Sequence, residues 1–160
     1  MPGLPFEILP AEAADLEPLL SLIHRAYAAN KALGFNFYGT RETMEDLRKV
    51  HSEGALWKLV EGARLSGTIR LHEYPELPGV LYINRMCVEP EIQKRGLGGS
   101  LLEFAESEAR RRGLKALRLD TAKPFERLVG WYRKLGFAVI DETQWDVTNY
   151  RSVIMEKQIP

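Results

Sequence analysis

The stretch Cys87-Val88-Glu89-Pro90-Glu91-Ile92-Gln93-Lys94-Arg95-Gly96-Leu97-Gly98-Gly99-Ser100 decides how the chain is read. Before it runs Val80 to Val88, a β-rich segment interrupted by the polar pair Asn84-Arg85. After it, Leu101, Leu102, Ala105 and Ala109 recur at helical spacing until Gly113, a stop signal. A strand, a glycine-rich turn and a helix of about four turns therefore follow one another. Gly96 and Gly98 lack the Cβ that keeps backbone amides away from an anion, so the turn and the helix N-terminus make a phosphate cradle. Lys94 and Arg95 add local positive charge.

Three phosphate motifs compete for this loop. The P-loop form needs a Lys directly after its last glycine, and none follows here. The dinucleotide form needs Gly-x-Gly-x-x-Gly, but counted from Gly96 its third glycine position holds Leu101. Asp120 does lie about 20 residues downstream, where a ribose-binding acid belongs, which keeps a nucleotide-binding oxidoreductase open. The third motif is Gln-x-x-Gly-x-Gly.

Working outward, the apolar period divides the chain into elements. Phe6 to Leu9 suits a short first strand, and Leu16, Leu19, Leu20, Ile23 and Tyr27 mark a helix over Ala13 to Ala29. Thr40 is a candidate cap for a second helix ending at His51, with Met44, Leu47 and Val50 as its stripe. The aromatic loop Asn30 to Gly39 lies between them. Leu56 to Val60 and Gly67 to His72, joined across Gly62, read as a hairpin. Ala116 to Thr121 alternates as a strand, Phe125 to Leu135 is helical, and strands follow at Phe137 to Ile140 and Arg151 to Met155. This order predicts one α/β (α+β) domain over residues 1–160. Its mixed, mostly antiparallel central sheet of about six or seven strands is flanked by about four helices, with strands 80–88 and 115–121 parallel.

Composition bounds the function. The 160 residues carry 22 Lys+Arg and 22 Asp+Glu, so no global field favours nucleic acid or an anionic membrane. The size scaling lets roughly 69% of the unfolded surface be buried, enough for an ordinary core. A single cysteine, Cys87, favours a reducing compartment, here the cytoplasm. No metal is expected, because His24, His51 and His72 are dispersed.

Two segments resemble the GNAT superfamily of N-acetyltransferases. Gln93-Lys94-Arg95-Gly96-Leu97-Gly98 is similar to that family's acetyl-coenzyme A pyrophosphate loop. Trp131-Tyr132-Arg133-Lys134-Leu135-Gly136-Phe137 is similar to its Tyr-x-Lys-Leu-Gly-Phe segment. The resemblance implies direct acetyl transfer from the thioester to a primary amine of a small molecule or peptide. It assigns backbone groups of Met86, Cys87 and Val88 to the pantetheine arm, and Gln93, Lys94, Arg95, Gly96, Leu97, Gly98 and Gly99 to the pyrophosphate. Tyr132 falls where the family places a tyrosine beside the departing sulfur. A phenol near pKa 10 giving its proton to a thiolate near 8.5 is uphill by roughly 2 kcal/mol, so hydrogen-bond stabilisation competes with donation. Asp120 is the candidate base and Glu89, in the turn, a weaker one. Where many relatives have a cofactor-binding Asn, this chain has Phe125. Arg110, Arg111 and Arg112 read as solvated cations suited to a helix C-terminus.

The amine is expected to meet the 30–39 loop, the second helix and the segment 141–149, with Trp145 as a wall. Exposed edge strands near the C-terminus permit a homodimer. A non-catalytic acyl-coenzyme A module remains the other alternative.

Overall fold

A computed structural model describes residues 5–160, except for the side chains of residues 93–95. In chain order the elements are β1 (Glu7–Pro10), α1 (Leu16–Ala32), α2 (Met44–Ser52), β2 (Leu56–Glu61), β3 (Arg64–His72) and β4 (Val80–Val88). They continue as α3 (Leu97–Arg111), β5 (Ala116–Ala122), α4 (Glu126–Lys134), β6 (Ala138–Thr143) and β7 (Ser152–Gln158). The strands form a sheet in the order β1-β2-β3-β4-β5-β7-β6. Only the β4–β5 pair among them is parallel. The mixed, mostly antiparallel sheet with four helices is the architecture expected from the periodicity.

Apolar spacing settles which face each helix covers. Leu101, Leu102, Ala105 and Ala109 of α3 and Val129 of α4 meet Ile69, Leu71, Leu81 and Leu117 on one face of the sheet. Leu16, Leu19 and Ile23 of α1 and Leu47 and Val50 of α2 pack with Leu56 on the other. Burying a Leu side chain completely contributes about 2 kcal/mol. α3 is the crossover that a parallel strand pair requires.

Two local expectations change. The α2 cap is Thr43 rather than Thr40: the Asp46 amide donates to Thr43 Oγ1 at 3.1 Å and the Thr43 amide to Asp46 Oδ2 at 3.0 Å. Thr40 instead donates its hydroxyl to the Phe37 carbonyl. Arg110, Arg111 and Arg112 are paired, not merely solvated. Arg110 meets Glu106, Arg111 meets Glu108, and Arg112 bridges Glu108 and Glu73 at 3.0 and 2.9 Å.

The sheet opens at its centre. The β4–β5 ladder runs from Val80–Ala116 only to Tyr82–Arg118, whereas β5 stays paired with β7 as far as Ala122–Ser152. Two steps along β3, Thr68 to Arg70, face three along β4, Cys87 to Asn84, so β4 bulges at Arg85-Met86. Arg85 takes φ 47 there, a left-handed value rare for residues with a side chain. β4 and β5 part after Tyr82, just ahead of this bulge.

Candidate active site

A cleft of about 880 Å³ fills the gap between the parted strands. Met86, Cys87 and Val88 line it from β4, Asp120 from β5 and Tyr132 from α4. Gly96, Gly98 and Gly99 line it from the start of α3. One space therefore unites most of the residues singled out in the sequence. Leu97 is the exception among those described, since its side chain is buried in the core and only its backbone serves the loop. The side chains of Gln93, Lys94 and Arg95 lie outside the described residues.

The start of α3 is built from small residues for a physical reason. Gly96 is its N-cap at φ 80, and the Ser100 amide bonding to the Gly96 carbonyl at 3.2 Å begins the helical ladder. The amides of Leu97, Gly98 and Gly99 thus have no helical acceptor. A Cβ on Gly99 would meet nothing within 4 Å, so this end opens on the cleft. On Gly98 a Cβ would come within 3.4 Å of the Trp131 ring. Unobstructed amides, the helix dipole and an unpaired strand edge suit an anion joined to an extended, amide-bearing arm.

The side chains lining the cleft differ in what they can do. Burial first, then the Asp120 charge, pushes the Tyr132 phenol far above its ordinary value. It keeps its proton at neutral pH and can donate a hydrogen bond. Asp120 accepts from the Tyr82 hydroxyl at 2.8 Å and from Trp145 Nε1 at 3.2 Å, which fixes both its oxygens. Cys87 is half-buried, and burial pushes its thiol up to about 12, so it is not a ready nucleophile. Glu89 is gripped by Arg25 at 2.8 and 2.7 Å, which lowers its pKa and occupies it as an ion-pair partner.

The far end of the cleft is aromatic. Phe37, Phe125, Trp145 and Tyr150 line it, and Phe35 stacks on Phe125 with ring centres 5.3 Å apart. Trp145 forms the expected wall. Phe125, standing where an Asn was looked for, joins this wall instead. Sequence reading missed Tyr82 as a partner of Asp120, and missed Arg85 with Glu42, which bonds the Arg85 Nε through Oε2 at 3.1 Å. The polar pair interrupting β4 was the only trace of that arrangement.

An open mixed sheet with unobstructed α3 amides beside a parted parallel strand pair is the arrangement that suits an acyl-coenzyme A-dependent transferase. The chain belongs to the acetyltransferase (GNAT) family, whose model matches residues 19–137. It is 30% identical over 151 residues to an S-(2-succino)cysteine N-acetyltransferase from Bacillus subtilis, covering 91% of each chain. The fold is similar to the ribosomal-protein-S18-alanine N-acetyltransferase of Escherichia coli, with TM-score 0.78 and 19% identity over 97% of this chain and 94% of that one. It is also similar to a PaiA N-acetyltransferase from Thermoplasma acidophilum in complex with coenzyme A, with TM-score 0.77 and 20% identity over 96% and 99%. The protein is accordingly an acetyl-coenzyme A-dependent N-acetyltransferase. No helix among the described residues is long and apolar enough to cross a membrane.

Proposed function

We propose that the cleft transfers acetyl directly from the thioester to the primary amine of a small molecule, with Tyr132 and Asp120 as its working side chains. The observation that carries this reading is the meeting of the β4 edge, the α3 amides, Tyr132 and Asp120 in one cleft. Backbone groups of Met86, Cys87 and Val88 hold the pantetheine arm. The turn from Gln93 to Gly99 holds the pyrophosphate, with its amides as donors. Acetyl-coenzyme A supplies the activated acetyl group.

The proton account assigns the roles. An alkylammonium near pKa ~10 must lose a proton before its nitrogen can attack, and Asp120, held by Tyr82 and Trp145, receives it. The nitrogen then bonds to the acetyl carbon as the carbon–sulfur bond breaks. Tyr132 stabilises the departing sulfur by a hydrogen bond, and the second nitrogen proton ends on the thiol. An amide of β4 is available to the carbonyl oxygen as it gains charge.

A small acceptor is favoured over a peptide by the strap across the aromatic end. Asn149 donates from its backbone amide to Asn36 Oδ1 at 2.6 Å and from Nδ2 to the Gly34 carbonyl at 2.8 Å. Asn36 returns its amide to Asn149 Oδ1 at 3.2 Å, and Arg41 Nη2 donates to the Val147 carbonyl at 2.8 Å. These bonds zip the 34–41 loop to the β6–β7 loop at the aromatic end of the cleft, an arrangement that suits a compact acceptor better than an extended polypeptide. The relative's acceptor, S-(2-succino)cysteine, is likewise a small molecule. The single cysteine suits work in the reducing cytoplasm.

Free thiol release from acetyl-coenzyme A, followed over a panel of small amines and of peptides, tests the reading. Small amines should turn over well and peptide amines poorly. Equal efficiency with peptides, or no turnover and no coenzyme A binding, contradicts it.

A further inference from the structure

The cleft holds a cation that its own carboxylate does not neutralise. The Glu42 side chain is wholly buried at 0% exposure, and its two oxygens are divided between Arg70 and Arg85. Arg70 is buried beside it at 6%, whereas Arg85 keeps 25% of its side chain exposed and lines the cleft. Within this triad one carboxylate thus serves two guanidiniums and leaves one positive charge over, which Asp46, within electrostatic reach of Arg70, offsets only in part. The Glu42 bond uses Arg85 Nε, and among the described residues neither Nη of Arg85 has a hydrogen-bond acceptor. Arg127, the other cation lining the cleft, is exposed on α4.

The position of Arg85 is enforced. Its left-handed backbone at the β4 bulge costs about 1–2 kcal/mol, so a competing force holds it there. The guanidinium also lies over the Tyr38 ring, 5.0 Å from its centre. Asp120, the only carboxylate lining the cleft among the described residues, is near enough to act on Arg85 electrostatically. A charge of each sign therefore faces the space where the acceptor binds. A planar fork with free donors matches a carboxylate bidentately.

We propose that the acceptor is an amino acid or amino-acid conjugate whose carboxylate is held by the Nη donors of Arg85 while its amine lies toward Asp120. This rests on the reading of the cleft as the acceptor site. Such a ligand supplies the counter-charge that Glu42 cannot, and its ammonium meets the opposite wall. A simple amine or polyamine leaves the Nη donors of Arg85 without an acceptor once the cleft is desolvated.

Matched sets of an amino acid, its amide and its decarboxylated amine test the idea at saturating acetyl-coenzyme A. The acid should exceed the other two by about 100-fold in kcat/KM, the scale of a charged hydrogen-bonded pair. Arg85→Gln should remove that preference without changing KM for acetyl-coenzyme A, and Arg85→Lys should retain part of it. An equally good decarboxylated amine, or a preference that survives in Arg85→Gln, overturns the proposal. Calorimetry on the coenzyme A-loaded wild type with amino acids and their N-acetyl forms reads the same contact without turnover. Arg85-dependent binding without transfer leaves the anchor standing and removes the proposed activity; no carboxylate-dependent binding overturns the anchor.

Discussion

At Tyr132, burial and the Asp120 charge act in the same direction, so the phenol holds its proton and, in the proposed chemistry, serves as a donor rather than an acid. No described side chain bonds to its hydroxyl, so removing that oxygen leaves no partner stranded. Tyr132→Phe is therefore expected to fold normally, bind acetyl-coenzyme A with unchanged KM and lose about 100-fold in kcat, the scale of positioned hydrogen-bond catalysis. Steady-state kinetics decide it, and an unaltered kcat removes Tyr132 from the chemistry. Tyr132 and Asp120, which the structure brings to one cleft, could be singled out because a short motif and a strand position carry them. Arg85 could not, because its meaning depends on Glu42, 43 residues away, and on a bulge that no local pattern announces.

Among the elements, α3 would couple folding to the proposed cofactor binding through its first turn. Gly96 caps it at φ 80, where an added Cβ costs about 1–2 kcal/mol. Gly96→Ala should lower the melting temperature and, by re-aiming the amides of Leu97, Gly98 and Gly99, raise KM for acetyl-coenzyme A. The kcat at saturation should change little. A variant with native melting temperature and native KM contradicts this account of the cradle. The order of elements was readable because apolar spacing switches cleanly between helical and alternating periods. The cap of α2 was misjudged because Thr40 and Thr43 both suit it, and it is Thr43 that has an acid, Asp46, three residues on to complete the box. No local pattern announces the parting of β4 and β5, which accompanies an extra residue in β4 and is tertiary.

Across the whole molecule, ion pairs tie distant elements, although the formal charge sums to zero. Arg25 on α1 holds Glu89 after β4 and Lys157 on β7 holds Glu106 on α3, while Arg111 holds Glu108 within α3 itself. Each pairing lowers its carboxyl below the ordinary 4.5. A lowered native pKa stabilises above the unfolded value and loses that contribution as pH falls through the native one. Burial lowers His72 below 6.5, so protonating it also opposes folding. The melting temperature should be highest near neutrality, slip as pH falls through 6.5 and drop steeply below 4.5. A melting temperature constant down to about pH 3 removes these pairs from the stability.

The central claim is that one cleft holds both substrates while acetyl passes directly between them, without resting on Cys87, whose thiol burial pushes up to about 12. Initial velocities measured with acetyl-coenzyme A and amine both varied test it most directly. Intersecting double-reciprocal lines are predicted; parallel lines, the pattern of an enzyme acetylated before the amine binds, would contradict it.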